Sequence, residues 1–300
     1  MDIEMTAIAD FAAALLLAPL LPGIINRVKA FFAGRRGQSV FQLYYDLRKL
    51  LAKGAVYSSA SGFVFRLGPV ASLAALLAAL AVMPAGGHGS LASFDGDIIL
   101  FAYLLALSRF VTVLAALDTG SSFGGMGASR EVFFSALAEP AFFLSLAVLA
   151  KKAGAFSFNL IFLSANPVTG TPLLLVLAAL FIVFLAENCR IPFDDPNTHL
   201  ELTMIHEVMV LDHSGPDFAL ISYGAALKMW LLGAIVVRLA LPFGGGTGGA
   251  QSPALFLAGI FALAIAAGIV ESCMARLRLL KVPALLLSAS MLAFAAFMVS

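Results

Sequence analysis

Residues 253–273 read PALFLAGIFALAIAAGIVESC and carry a single charged side chain, Glu271, close to their carboxyl end. Because about 20 apolar residues in a helix cross the hydrocarbon core of a bilayer, this stretch predicts a membrane span. Similar stretches lie near Ile3–Ile25, Pro69–Met83 (with a start as early as Phe63), Asp97–Leu117, Glu131–Ala150, Thr171–Glu187, Phe218–Leu241 and Val282–Val299. The predicted fold class is therefore all-α, a polytopic integral membrane protein with about eight transmembrane helices.

The composition of the whole chain agrees with a lipid environment and excludes several function classes. Hydrophobic residues make up 61% of the 300 residues and charged residues only 12%, which is more apolar surface than a soluble domain can bury. The net charge of +1 argues against a nucleic-acid-binding protein. Cys189 and Cys273 are too few for a disulfide framework or a cysteine-ligated iron–sulfur cluster. The chain thus has no evident redox centre of its own.

Lysine and arginine are distributed unevenly among the loops and predict the orientation. Residues 84–96 and 242–252 contain neither, and residues 274–281 contain Arg276, Arg278 and Lys281. The segment between the first two spans contains Arg27, Lys29, Arg35, Arg36, Arg48, Lys49, Lys53 and Arg66. By the positive-inside rule the basic segments are cytoplasmic and both termini lie outside, although Lys151 and Lys152 fall on the opposite side. We expect one membrane domain over residues 1–300.

Residues 42–53, QLYYDLRKLLAK, place leucines at helical spacing between charged residues. This pattern predicts an amphipathic cytoplasmic helix at the membrane surface, with Asp46, Arg48 and Lys49 largely on its other faces. Its basic residues either retain the loop in the cytoplasm or form a docking surface for a cytoplasmic partner. The two roles are compatible, since charge kept for topology also attracts an acidic partner.

Proline and glycine mark two predicted links. In residues 187–199, ENCRIPFDDPNTH, the two prolines predict a short, stiff, non-helical link. A helix over about Thr198–Asp212 is expected to follow, with Asp194, Asp195 or Asn197 as its cap. The run Gly124-Gly125-Met126-Gly127 has no preceding strand, so it predicts a tight turn between spans three and four and not a dinucleotide site.

Three histidines, His199, His206 and His213, recur every seven residues and are expected to share one face of the predicted helix. Zinc ligands on one helix are usually three or four residues apart. In addition, His206-Glu207 lacks the second histidine of the metalloprotease motif, so a zinc site is disfavoured. A solvated face and a proton-accessible cluster both remain open, because histidine titrates near physiological pH.

Predicted spans contain ionisable residues, among them Asp10, Arg109, Glu139 and Lys228. A charged side chain at this depth costs about 2.5–3.5 kcal/mol on insertion scales, so it is usually paired or lines a polar path. Glu139 either forms an ion pair with a basic residue such as Arg109 or Lys228, or conducts protons. The residues alone leave both interpretations open.

Three segments carry a family resemblance. They are residues 187–207, ENCRIPFDDPNTHLELTMIHE, followed by Ser214-Gly215-Pro216; residues 34–39, GRRGQS, with residues 46–50, DLRKL; and residues 123–131, FGGMGASRE, with residues 138–140, AEP. In order along nearly the whole chain, they resemble subunit 1 of respiratory complex I. The resemblance is closer to the branch of that family in membrane-bound [NiFe] hydrogenases, such as formate hydrogenlyase and hydrogenase-4-like enzymes. Quinone-using members typically read Phe-Asp-Leu-Pro-Glu where this chain reads FDDPN at 193–197.

The resemblance implies a non-catalytic subunit that anchors a peripheral electron-transfer arm and links redox chemistry to proton or sodium translocation. Together with the line of acidic residues, it implies a coupling pathway through Glu139, Glu187, Asp194, Asp195, Glu201, Glu207 and Glu131. The residues expected to dock the arm, in loops 26–68 and 187–217, are Arg35, Arg36, Asp46, Arg48, Lys49, Arg190, His199 and His206. No catalytic, cofactor-binding or metal-ligating residue is expected.

The implied partners are hydrogenase-like large and small subunits, an iron–sulfur subunit and antiporter-like membrane subunits, in the cytoplasmic (inner) membrane. The NiFe centre and the iron–sulfur clusters are expected in those partners. Two alternatives stay open. The chain could form the quinone chamber of a complex I-like NADH or ferredoxin:quinone oxidoreductase, in which case quinone binds. A stand-alone secondary transporter would typically show repeated halves with broken helices, which are not evident here.

Overall fold

A computed structural model describes residues 2–84, 89–163, 168–194, 204–241 and 253–300. Within these residues the chain forms α-helices and no β-strand, which confirms the predicted fold class. The helices are α1 (Asp2–Leu17), α2 (Leu20–Phe32), α3 (Gln42–Leu51), α4 (Phe63–Val82), α5 (Asp97–Asp118), α6 (Ser122–Ala153), α7 (Phe158–Leu163), α8 (Thr171–Glu187), α9 (His206–Val210), α10 (Gly215–Ala240), α11 (Pro253–Cys273) and α12 (Val282–Val299).

Among the described residues, six helices are long and apolar enough to cross a bilayer: α4, α5, α6, α10, α11, and α12 with the turn before it. The pair α1 and α2 is bent by 46° and makes a seventh span if it crosses as one unit. The bend falls at Pro19, which has no N–H to donate to the preceding turn. The predicted fifth span is α8, an apolar helix of 17 residues. The expected count of about eight thus corresponds to six long helices, one bent pair and one shorter helix.

Helix α10 lies at the centre of the bundle, where it contacts α3, α4, α8 and α11. Trp230 of α10 is fully buried and its ring lies 6.3 Å from that of Phe256 on α11. Small residues permit close helix packing in lipid, where the hydrophobic effect adds little. A Cβ atom at Gly259 would lie only 2.6 Å from Cγ1 of Val237, so this glycine sets the contact between α11 and α10.

One end of the bundle is formed by segments 33–62, 188–194, 211–214 and 274–281, and we call it the loop face. The backbone N–H of Val56 donates to Oγ of Ser214 at 3.0 Å, and the N–H of Leu277 donates to the carbonyl of Pro192 at 3.0 Å. The loops predicted to be cytoplasmic therefore meet at one end of the protein.

The predicted glycine turn is wrong, because Gly124 to Gly127 lie inside α6. The helix begins at Ser122, after Ser121, whose Oγ accepts the N–H of Gly124 at 3.5 Å. Close packing explains the glycines better than a turn. A Cβ atom at Gly127 would lie 2.3 Å from Cγ1 of Val208, so the bare backbone of α6 lets α9 approach.

The predicted continuous helix over Thr198–Asp212 is also wrong in its described part. Met204 and Ile205 are not helical, and α9 covers only His206–Val210. The N–H of Ile205 donates to Oδ2 of Asp194 at 2.9 Å, so a side chain replaces the helical carbonyl as its acceptor. The rest of the predicted helix, residues 198–203, lies outside the described residues.

Candidate functional site

A cavity of about 220 Å³ lies beneath the loop face, among α4, α5, α6, α8, α9 and α10. Six predicted site residues line it: Glu131, Glu187, Arg190, Asp194, His206 and Glu207. Apolar side chains, among them Leu76, Met209 and Met229, form another part of its wall. The fold therefore gathers polar groups from distant parts of the chain around one space that has both polar and apolar walls.

Four charged side chains form a continuous ion-pair network beside this cavity. Arg109 donates through Nη1 to Oε1 of Glu187 and through Nη2 to Oε1 of Glu139, each at 2.9 Å. Lys228 Nζ lies 2.7 Å from Oε2 of Glu187. The side chains of Arg109, Glu187 and Lys228 are only 12–16% exposed, whereas Glu139 is 43% exposed. The pair of Glu139 with Arg109, one of the two interpretations left open by the sequence, is thus present, and proton conduction by Glu139 stays a prediction.

The network lies between two cavities. Arg109 and Glu187 line the first cavity and also a second one of about 250 Å³, whose wall includes Glu139, Phe142 and Leu232. The half-exposed carboxylate of Glu139 faces this second cavity. The chain of Lys228, Glu187, Arg109 and Glu139 consequently connects the space under the loop face with a pocket among α5, α6 and α10.

A second set of ion pairs holds the rim of the first cavity. Asp194 is 1% exposed, and its Oδ1 lies 2.8 Å from Nη2 of Arg276. Glu271, 4% exposed, pairs with Lys29 at 2.8 Å and with Arg190 at 3.5 Å. Arg190 lines the cavity at this rim, and its side chain is buried and paired within the chain. Its role in docking stays a prediction.

Cys189 occupies an unusual backbone conformation at the cavity wall. Its φ of +48° is the one positive value found for a non-glycine residue in the part of the chain described here, and such strain often accompanies a functional constraint. The thiol Sγ lies 4.0 Å from Oε2 of Glu131. Burial, together with the negative charges of Glu131 and Asp194, raises the pKa of the Cys189 thiol well above its ordinary value. Without a bound cation this thiol stays protonated at neutral pH.

The prediction that the histidines share a helical face is wrong for His206 and His213. His206 is the first residue of α9 and lines the cavity, whereas His213 lies in the link between α9 and α10. The ring of His213 stacks on Phe65 with centroids 3.9 Å apart, and burial lowers its pKa. His199, Asp195 and Glu201 lie outside the described residues, so their predicted roles stay predictions.

The amphipathic helix predicted within residues 42–53 is observed as α3. The side chains of Arg35, Arg36, Arg48 and Lys49 are exposed, and Asp46 accepts a hydrogen bond from Nε2 of Gln42 at 3.0 Å. On the other side of α3, the hydroxyl of Tyr44 donates to the carbonyl of Leu16, which attaches the helix to the bundle. The basic surface is therefore available at the loop face, and what it binds stays a prediction.

Two residues at the site gave no functional signal in the sequence. Cys189 was relevant only to the cysteine count, and Glu271 only as the single charge in an apolar stretch. An acid near the end of a span is a signal in retrospect, since it predicts a buried ion pair. Away from the site, the intramembrane Asp10 has a similar explanation, because its charge acts on buried Arg238, whose guanidinium also lies over the ring of Phe162.

The chain is similar to known proteins along most of its length. It is 38% identical over 241 residues to hydrogenase-4 component C of Escherichia coli (strain K12), covering 79% of this chain and 75% of that protein. It is 34% identical over 296 residues to formate hydrogenlyase subunit 4 of the same organism, covering 94% and 93%. A chain in the solved structure of the membrane-bound sulfane sulfur reductase, an archaeal respiratory membrane complex, has the same fold, with a TM-score of 0.84 and 22% identity over 100% of this chain and 99% of that chain. Residues 5–300 match the NADH dehydrogenase family, and this chain belongs to that family.

Proposed function

We propose that this chain is the membrane subunit of an ion-coupled oxidoreductase complex of the membrane-bound [NiFe] hydrogenase type. In this role it anchors hydrogenase-like large and small subunits and an iron–sulfur subunit through the loop face, and it contacts antiporter-like subunits within the membrane. Electrons travel through centres in the partners. The hydrogenase type is supported by the similarity to hydrogenase-4 component C, at 38% identity, and to formate hydrogenlyase subunit 4, at 34% identity.

The observation that carries the proposal is the ion-pair network between the two cavities. Glu187 is held by two cations at 2.7–2.9 Å, and Arg109 holds a second carboxylate at the same distance. Two unit charges at 4 Å interact by roughly 4 kcal/mol at an effective dielectric constant of 20. A charge that moves at the cavity under the loop face therefore alters the balance of forces on Arg109. Arg109 transmits that change to Glu139, which faces the other cavity.

Coupling by this route needs no redox centre in the chain. Movement of Lys228 away from Glu187 leaves Arg109 as the remaining cation on that carboxylate, so Arg109 is drawn toward Glu187 and binds Glu139 less strongly. The partner that faces Glu139 then senses a different charge. Proton or sodium movement follows in that partner or along the second cavity. The electron-transfer arm, whose redox reaction starts this process, attaches to the basic surface of α3.

The test uses the complex in its own membrane. An affinity-tagged chain is purified in detergent, and we expect a [NiFe]-type large subunit and iron–sulfur subunits to co-purify with it. In vesicles of the same membrane, Arg109→Gln should leave electron transfer largely intact and lower ion translocation at least about tenfold, because the route to Glu139 is broken. Lys152→Gln, which alters an exposed lysine at the far end of α6, is the matched control and should preserve both.

Two outcomes would overturn the proposal. A chain that purifies alone and moves ions by itself would be a stand-alone transporter. If Arg109→Gln lowered electron transfer and ion translocation in equal proportion, the network would serve the assembly or the reaction and not the coupling.

A second candidate, the quinone chamber of a complex I-like enzyme, is favoured by the cavity's mixed lining. Leu76, Met209 and Met229 offer an apolar wall, and charged groups stand opposite. Competition by a quinone analogue for electron transfer, lost on Met229→Trp, would establish this function instead.

A further inference from the structure

Three side chains that commonly bind metals converge at the wall of the cavity under the loop face. Glu131 lies one turn after the glycine run of α6, Cys189 in the link after α8, and His206 at the start of α9. One ligand atom from each, a carboxylate oxygen, a thiol sulfur and an imidazole nitrogen, can be chosen so that all three lie within 4.8 Å of one another. Residues that are 58 and 17 positions apart in the sequence thus form one compact cluster.

The geometry of the cluster suits a tetrahedral ion. Zinc binds sulfur at about 2.3 Å and nitrogen or oxygen at about 2.0–2.2 Å, so neighbouring ligand atoms in a tetrahedral site are roughly 3.3–3.8 Å apart. The observed separations of up to 4.8 Å exceed this by about 1 Å. Closing that gap requires rotation of the glutamate side chain and of the imidazole ring, the two members of the set with long, rotatable side chains.

The chemistry of the donors selects the metal. A thiolate together with an imidazole favours zinc over magnesium or calcium, which prefer oxygen ligands alone. A thiolate and a carboxylate together neutralise the charge of a divalent cation. A neutral site costs less to bury, and Glu131 is only 8% exposed. All three residues line the cavity, so a fourth coordination position points into open space, as in sites with three protein ligands and one water molecule.

We propose that Glu131, Cys189 and His206 bind one zinc ion at the wall of this cavity, with water as the fourth ligand. The ion ties α6 to the link after α8 and to the short helix α9, two segments whose placement sets the shape of the cavity. It explains why Cys189 is held in a positive-φ conformation that directs its thiol toward Glu131. The site stands on these three side chains alone and does not depend on the proposed function.

The first experiment substitutes cobalt for zinc in the full-length chain, purified with its complex in detergent. The protein is stripped with a chelator and titrated with Co²⁺ alone. We expect about one Co²⁺ per chain in this site, with a thiolate-to-cobalt charge-transfer band and the intense visible bands of tetrahedral cobalt. Cys189→Ser should abolish the charge-transfer band, and Cys273→Ser, which alters the exposed second cysteine, should retain it.

Variants of the other two ligands test the set. Glu131→Gln and His206→Gln should each weaken Co²⁺ binding by more than about 100-fold, since even outer-shell changes cost 10–100-fold. Glu207→Gln is the matched control, because Glu207 lines the same cavity but is outside the cluster, and it should bind Co²⁺ with unchanged affinity.

A second measurement on the wild-type protein covers the case in which a variant fails to fold. Zinc-edge X-ray absorption is recorded on the wild-type complex before and after the chelator-stripped protein is reloaded with one Zn²⁺ per chain. The difference between the two spectra should show one sulfur neighbour at about 2.3 Å. No charge-transfer band in the wild type, or the same band in Cys189→Ser, overturns the proposal. So does a zinc environment of oxygen and nitrogen only, which would mean adventitious binding.

Discussion

The ion-pair network makes a quantitative prediction about charge balance. Arg109 and Lys228 carry two positive charges, and Glu139 and Glu187 carry two negative charges, so the network is neutral as a unit. Glu187→Gln leaves one uncompensated positive charge in a place where both cations are 12–16% exposed. Removal of one partner of a buried pair costs about 3–5 kcal/mol of unfolding free energy.

Removing the matching cation should restore part of that loss. At the 2.7 Å separation of Lys228 from Glu187, the gross attraction is about 6 kcal/mol at an effective dielectric constant of 20, before desolvation offsets most of it. In the double variant Glu187→Gln/Lys228→Gln the remaining pair, Arg109 with Glu139, is neutral again. We expect the double variant to be about 1–3 kcal/mol more stable than the sum of the two single changes predicts. Interaction energies of this size are usual for residues in contact.

The assay is the free energy of unfolding in a lipid bicelle, measured by steric trapping on the full-length chain. Glu187→Gln/Lys152→Gln is the control pair. Lys152 lies in the last turn of α6, away from the network, so its effect should add to that of Glu187→Gln within about 0.5 kcal/mol. Strict additivity in the Glu187/Lys228 pair, or a double variant less stable than the sum, would refute the view that these four charges act as one balanced unit.

Three further predictions concern packing, pH and the rim of the cavity. In a thermal unfolding assay, Gly127→Ala should lower the unfolding free energy by about 1–3 kcal/mol, because the added Cβ would come 2.3 Å from Val208. Gly125→Ala is the control, since Gly125 has open space around it, and it should be nearly neutral in that assay. Burial lowers the pKa of His213 below 6.5, so the unfolded state binds more protons than the folded state below that pH, and stability is lost as the pH falls through about 6.5. His213→Phe should therefore reduce the drop in melting temperature between pH 7.5 and about 5.5. An unchanged drop would contradict this. Glu271→Gln leaves Lys29 and Arg190 without their shared carboxylate and should cost about 3–5 kcal/mol, with a loss below 1 kcal/mol as the contrary result.

The membrane-spanning character of the chain could be predicted from the sequence because it depends on local composition. Each span is a run of apolar side chains whose backbone bonds are satisfied within its own helix, so no distant contact is needed to recognise it. Of the seven predicted spans after the first, three have the bounds of α8, α11 and α12. The other four differ only in their ends, as at α6, which starts at Ser122 and not at Glu131. The first predicted span is the bent pair α1 and α2, in which a proline changes the direction of the helix.

The partners of the intramembrane charges could be predicted only in kind. The high cost of an isolated charge in lipid implied that Glu139 either pairs with a cation, with Arg109 and Lys228 as the named candidates, or conducts protons. Which cation binds which acid depends on how α5, α6, α8 and α10 face one another, and helical periodicity does not report that. The structure shows Glu187, at the end of the predicted fifth span, as the acid that two cations share.

Local sequence also misled where distant residues compete for a backbone group. The pattern over residues 198–212 favours a helix, yet Asp194 binds the N–H of Ile205 and α9 starts only at His206. In the same way, a glycine run that reads locally as a turn serves a contact between two helices.

Apolar runs and the distribution of charge were sufficient to assign an all-α membrane protein, since transfer into lipid is a property of each segment by itself. The two cavities, the four-charge network and the cluster of Glu131, Cys189 and His206 exist only after the helices pack. Hydrogen bonds and metal–ligand bonds act over about 2–4 Å. Groups separated by dozens of residues along the chain come within that range only through the three-dimensional fold.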